Sequence, residues 1–157
     1  MSPGSLVVTV QAAGRGPRPS AARIKRWAAA ALGAGARGEL TVRIVGEEES
    51  AALNGRYRGR SKPTNVLAFP ADLEVPGPPG EPPPIGDLVI CAPVLAREAE
   101  AQDKTLEAHW AHIVIHGVLH LAGYDHEAEA QARAMEDRER EILAGLGFED
   151  PYLLERQ

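Results

Sequence analysis

The sequence predicts an α+β fold: a small, mixed four-stranded sheet packed with about five helices, carried as one domain by residues 1–157. Three observations predict it. Short β-branched runs crowd the front of the chain and long periodic segments crowd the back, the segregation expected of α+β rather than of alternating βαβ units. The length of 157 residues suits one hydrophobic core. No internal repeat and no break in composition divides the chain.

The first strand is Leu6 to Val10, LVVTV, short and β-branched. GRGPRPS follows as a loop, and Ser20 is placed to cap a helix from Ala21 to about Leu32. That helix puts Ile24, Trp27, Ala28 and Ala31 on one face, and GAGARG ends it. Leu40 to Val45, LTVRIV, alternates as a second strand. Glu47 to Asn54 predicts a short helix with its acids at the start, where the dipole favours them. Asn65 to Phe69 is a third strand. PADLEVPGPPGEPPP then holds more than half of the 13 prolines and predicts an exposed loop over 70–84. Asp87 to Cys91 is a fourth strand, and Pro93 opens a helix through about Ala101. Leu106 to Ala122 is a longer apolar helix, and Glu127 to Ala144 a last amphipathic one, closed by Gly145 or Gly147.

Composition narrows the function classes. No run of about 18 apolar residues is present to span a membrane, and MSPGSLVVTVQ lacks the features of a secretory signal. A single cysteine, Cys91, cannot form an internal disulfide. The expectation is a cytoplasmic protein, with Cys91 a buried small hydrophobe. The net charge of −5 argues against a general nucleic-acid binder. Its distribution is uneven: RYRGRSK at 56–62 holds Arg56, Arg58, Arg60 and Lys62 without an acid, while acids gather at 47–49 and from Glu127 to Glu141. Such a basic patch on an acidic body would bind a polyanion selectively, or it is a solvated turn. The Glu-rich last helix reads as a solvated face, and Tyr57, Trp27 and Trp110 read as core.

The stretch HGVLHLAGYDH holds His116, His120 and His126. His116 and His120 are about one helical turn apart, so both imidazoles leave the same face within about 40°. Gly123 can end the helix in the left-handed conformation and turn the chain back, which lets His126 approach from outside. Three protein ligands with an open fourth position form the catalytic arrangement for zinc, whereas a structural site would be closed by four. The site would sit at the end of this helix, with His109 and His112 left as packing or surface residues.

HGVLHLAGYDH resembles the H-G-x-L-H-x-x-G-[YF]-x-H signature of the YbeY family of bacterial endoribonucleases. LNGRYRGRSKPTNVLAFP at 53–70, IGDLVIC at 85–91, EAHWAHIVIHG at 107–117 and LGFEDPY at 146–152 are similar to family blocks in the same order. The likeness runs from about residue 40 to 152; the first 40 residues and the Pro-rich loop match only in kind. Ala68 stands where the family usually has Ser, and Ser61 where an acid is common. The resemblance implies one Zn2+ per chain on His116, His120 and His126, and a functional Arg58. It implies maturation of rRNA, chiefly the 3′ end of the small-subunit 16S rRNA, and ribosome quality control. Implied partners are the ribosome, small-subunit ribosomal proteins and the GTPase Era.

The residues are compatible with that chemistry. Zinc peptidases of the HExxH type need the Glu that follows the first His as their base, and this chain has Gly117 there. Arg58 would supply a planar, always-charged fork for phosphate oxygens, and removing such a fork costs about 2.7–4 kcal/mol by analogy with oxyanion holes. Arg56, Arg60 and Lys62 are candidates for flanking phosphates. Asp87 and Asp125 are candidates for orienting a ligand histidine, or are turn residues. The rivals are a zinc hydrolase of peptide or amide bonds, and a non-catalytic ribosome assembly factor braced by zinc.

Overall fold

The computed structural model describes residues 6–71, 83–124 and 128–152. Its elements run β1 (Leu6–Ala12), α1 (Ala21–Leu32), β2 (Gly38–Val45), α2 (Glu47–Arg58), β3 (Val66–Pro70), β4 (Pro84–Cys91), α3 (Ala92–Ala101), α4 (Leu106–Leu121) and α5 (Glu129–Gly145). The sheet has the order β1-β2-β4-β3, with β3 the one antiparallel strand, lying at an edge against β4. This is the expected mixed four-stranded α+β sheet with five helices.

The pleat divides the core. Leu88 and Ile90 of β4 join Leu40, Val42 and Ile44 of β2 in the larger cluster, beneath α1, α4 and α5. Val89 and Cys91 turn to the other face, with Val45 and Leu67, where Leu53 of α2 covers them. Helix α1 buries Ile24, Trp27, Ala28 and Ala31, the stripe the periodicity predicts, and Ser20 caps it by accepting from the Arg23 amide at 3.3 Å. Trp27 and Trp110 are core, Trp27 edge-on to Phe148. Cys91 is buried.

Several boundaries differ from the sequence reading. Strands reach Pro70 and Pro84, so both rims of the Pro-rich loop are sheet residues; proline is tolerated at strand ends and on edge strands. Helix α2 continues four residues beyond Asn54, and Gly59, at φ 71°, ends it in the left-handed conformation. The first half of RYRGRSK is therefore the last turn of a helix. Tyr57, expected in the core, is 61% exposed. The extended helix carries it outward, where its ring lies 4.7 Å from that of Phe69, and Leu53 makes the apolar contact with the sheet instead.

Candidate functional site

Helix α4 opens at Thr105, whose hydroxyl accepts from the Ala108 amide at 3.1 Å, and lies across β3 and β4. Its close approach explains Gly117. A Cβ there would lie 2.8 Å from Leu88 Cδ2 and 3.4 Å from Val66 Cγ2. Position 117 thus points into the sheet, and no residue there can act as a base toward the histidines beside it. At the other end Gly123, at φ 106°, reverses the chain; its amide donates to the His120 carbonyl and the Tyr124 amide to that of Leu119, at 3.1 and 3.0 Å. The predicted helix-ending turn is present. Asp125 and His126 lie outside the described residues, and among the described residues no group of three metal-ligating side chains converges.

Helix α4 presents a row of histidines to two carboxylates, Glu98 partly buried and Glu139 fully buried. His109, 3% exposed, meets Glu98 of α3 through Nε2 at 2.9 Å, and Asn65 donates to the same carboxylate. His112 Nε2 and His116 Nδ1 both meet Oε1 of Glu139 of α5, at 2.9 and 3.0 Å, while the Tyr152 hydroxyl donates to Oε2 at 2.8 Å. Glu139 is fully buried. Burial alone would raise its pKa, but the hydrogen bonds from His112 and His116 outweigh it and bring it down to about 2. Burial pushes the His112 pKa down, against the raising effect of Glu139. Glu98 behaves like Glu139: burial raises its pKa, and the bonds from His109 and Asn65 leave it lowered.

The last helix is accordingly not only a solvated face. Glu139 is the residue that sequence reasoning missed, and a signal for it existed. Met135, Glu139, Ile142 and Leu143 follow the i, i+4, i+7, i+8 spacing of a buried stripe, so a carboxylate stands where a hydrophobe belongs. Asp87 stands elsewhere. It is exposed on the opposite sheet face, in a groove of about 450 Å³ shared with Thr41, Arg43, Glu49 and Tyr57. The carboxylate that meets His116 is that of Glu139; pleat parity keeps Asp87 away, because Leu88 faces α4.

Arg56, Arg58, Arg60 and Lys62 are all exposed. Arg23, Arg43, Arg97, Arg133, Arg138 and Arg140 form ion pairs, whereas among the described residues these four cations form none. The segment after Gly59 is held from beneath. Asn54 Nδ2 donates to the Lys62 carbonyl at 2.9 Å, and the Ser50 hydroxyl donates to the Thr64 carbonyl and accepts from its amide at 3.0 and 2.9 Å. Asn54 and Ser50 are 2% and 1% exposed, so the basic loop rests on buried polar anchors. From there the chain enters β3 at Val66, beside Gly117. One short segment thus joins the basic cluster to the sheet edge under the histidine helix.

The donor set suits a zinc-type metal. Imidazole is a borderline ligand favoured by zinc, and a ligand histidine commonly gives its other ring nitrogen to a carboxylate, as His116 gives Nδ1 to Glu139. His116, His120 and His126 are the residues that would hold it, the last on sequence grounds alone.

A family model described as Endoribonuclease YbeY matches residues 19–147. A relative named endoribonuclease YbeY from Halorhodospira halophila is 60% identical over 136 residues, covering 85% of this chain and 88% of its own. One from Alkalilimnicola ehrlichii is 54% identical over 158 residues, covering 97% and 93%, and one from Methylococcus capsulatus 55% over 146 residues. The solution structure of a Thermotoga maritima protein superposes with a TM-score of 0.50 at 25% identity, over 88% of this chain and 92% of that one.

Proposed function

We propose that this chain, which belongs to the YbeY family and is an endoribonuclease, cuts single-stranded rRNA, with the 3′ end of the small-subunit 16S rRNA as its principal target. It would do so in the cytoplasm, during ribosome maturation and quality control, alongside small-subunit ribosomal proteins and the GTPase Era. His116, His120 and His126 would hold one zinc ion. Bound there, zinc supplies Lewis acidity toward a phosphoryl oxygen and lowers the pKa of a bound water to about 7.

The chain's own residues supply the rest. Arg58 closes α2 and would brace two phosphate oxygens through its planar fork, stabilising charge that grows toward the transition state. Arg56 from the last turn of α2, and Arg60 and Lys62 from the loop that Ser50 and Asn54 keep in place, would hold flanking phosphates. Asp125, close to the ligands in sequence, would form the turn or orient a ligand histidine. The carrying observation is the pairing of two features: a histidine of α4 held by a buried carboxylate of α5, and an exposed basic cluster, without an ion pair among the described residues, leading into the strand beneath it. Peptide hydrolysis is disfavoured because position 117 packs against Leu88.

The test is cleavage of a labelled single-stranded rRNA fragment by wild type, by Arg58→Ala protein and by wild type with chelator. Loss in both arms supports the reading. Equal cleavage in all arms refutes it. A His116→Ala protein that unfolds when wild type is folded would favour the assembly-factor reading, in which zinc only braces the fold.

A further inference from the structure

The carboxylate of Glu139 is fully buried and faces three groups that can each donate a hydrogen bond. An ionised carboxylate only accepts, so each nitrogen turned toward it carries a hydrogen. His112 is then the Nε2–H tautomer and His116 the Nδ1–H tautomer. For His116 this leaves the lone pair on Nε2, the nitrogen on the far side of the ring from Glu139. The carboxylate has its own support. Tyr152 reaches it from the C-terminal turn, and that turn is tied down at several points. The Tyr152 amide donates to Asp150 Oδ1 at 2.8 Å, and Arg140 Nε donates to the same oxygen at 3.2 Å. The Arg140 guanidinium lies over the tyrosine ring at 5.1 Å, and Lys104 Nζ donates to the Pro151 carbonyl at 3.3 Å.

We propose that Glu139 is the positioning residue of the metal centre: it locks His116 in the ligating tautomer, with Tyr152 fixing Glu139 in turn, so that the C-terminal turn sets the geometry of a ligand on α4. The inference rests on the metal reading above. His112 is not counted among the ligands: its Nδ1 is buried, and its Nε2 buttresses the same carboxylate oxygen that holds His116. A carboxylate placed only to hold the fold would serve as well beside any donor. This one binds the two histidines of the row nearest the motif, and it does so through opposite ring nitrogens.

The experiment uses full-length 15N-histidine-labelled protein, wild type and the variants Glu139→Met, Glu139→Gln and Tyr152→Phe. Two-bond 1H–15N spectra of metal-free protein report the His116 tautomer. Competition with a chromophoric chelator reports the Zn2+ affinity. Wild type is expected to show His116 as Nδ1–H. Glu139→Met, which removes the acceptor at similar length, should release the tautomer and weaken zinc binding by about 10–100-fold. Glu139→Gln keeps an acceptor oxygen and should recover part of both, and Tyr152→Phe should fall between it and wild type. Unchanged tautomer and affinity in folded Glu139→Met protein overturn the proposal. Should that variant fail to fold, Tyr152→Phe decides, an unchanged spectrum and affinity again counting against it. A wild-type protein that binds no zinc defeats the metal reading instead, and the tautomer spectra then decide alone whether Glu139 orients His116.

Discussion

Replacing Gly117 by glutamate writes the HExxH peptidase pattern into this helix, and the structure predicts that it disrupts the fold instead of creating a peptidase. The magnitude can be built in two steps. The first methyl, in Gly117→Ala, lands 2.8 Å from Leu88 Cδ2 and 3.3 Å from Cδ1. Leu88 is fully buried and has little freedom to retreat. Overpacking of this kind costs about 1–3 kcal/mol, and exchanging a helical glycine for alanine returns about 1 kcal/mol. The net is a loss of about 0–2 kcal/mol, a fall in Tm of up to about 8 °C for a chain of this size. The rest of the glutamate side chain then has to enter the layer between Leu88 and Val66. A carboxylate there costs several kcal/mol more even after relaxation. The sum, about 5 kcal/mol or more, reaches the lower end of the whole stability of a domain. Denaturant and thermal unfolding of both variants measure it, with a casein assay on whatever remains folded. A Gly117→Glu protein that melts within about 2 °C of wild type would refute the reasoning, because α4 would then have to be rolled so that position 117 faces away from the sheet.

Three further outcomes follow from the site and its supports. Asn54→Ala removes the bond to the Lys62 carbonyl, leaving the segment to its Ser50 anchor alone at a cost of about 1–3 kcal/mol; trypsin should then cut after Arg60 faster than in wild type, and an unchanged digestion rate would deny the anchor. Neutralising Arg56, Arg60 and Lys62 should flatten the salt dependence of single-stranded RNA binding by about 0.7 in the log–log slope for each phosphate that the protein no longer neutralises, measured by anisotropy titrations; an unchanged slope means that the cluster is only solvated surface. Stability should fall on acidification in two stages. Below the ordinary histidine value of 6.5 the unfolded chain protonates His112 while the folded one, with its pKa lowered, resists. Below 4.5 the unfolded chain protonates Glu139 while the folded one holds it near 2. In both windows the unfolded state binds more protons, so stability rises with pH. Urea midpoints taken between pH 7 and 3 check the sign, and a rise on acidification would contradict it.

The parts of this molecule legible in its sequence are those that need only an apolar partner. Helix α1 shows why: Ile24, Trp27, Ala28 and Ala31 need a hydrophobic surface, and any such surface satisfies them, so the spacing alone identifies the buried face. Helix α2 had no such stripe. It buries Ser50 and Asn54, whose partners are carbonyl groups of the loop after it, and a helix held by polar contacts to its own return loop has no apolar period from which to read its length. Asp87 and Glu139 carry the same lesson further. Alternation along β4 separates Asp87 from Leu88, but it does not say which face the histidine helix covers. Glu139 sat visibly on an apolar stripe, which announces a buried charge and therefore a partner. It does not say which partner: α5 lies 23 residues beyond His116 at that point, and only the packing of α5 against α4 brings the two together at 3.0 Å. A hydrogen bond is directional and a hydrophobic contact is not. A site built from directional contacts between distant elements is thus specified by the fold as a whole. Its local sequence discloses the i, i+4 spacing of His116 and His120, but not the carboxylate that meets the first of them.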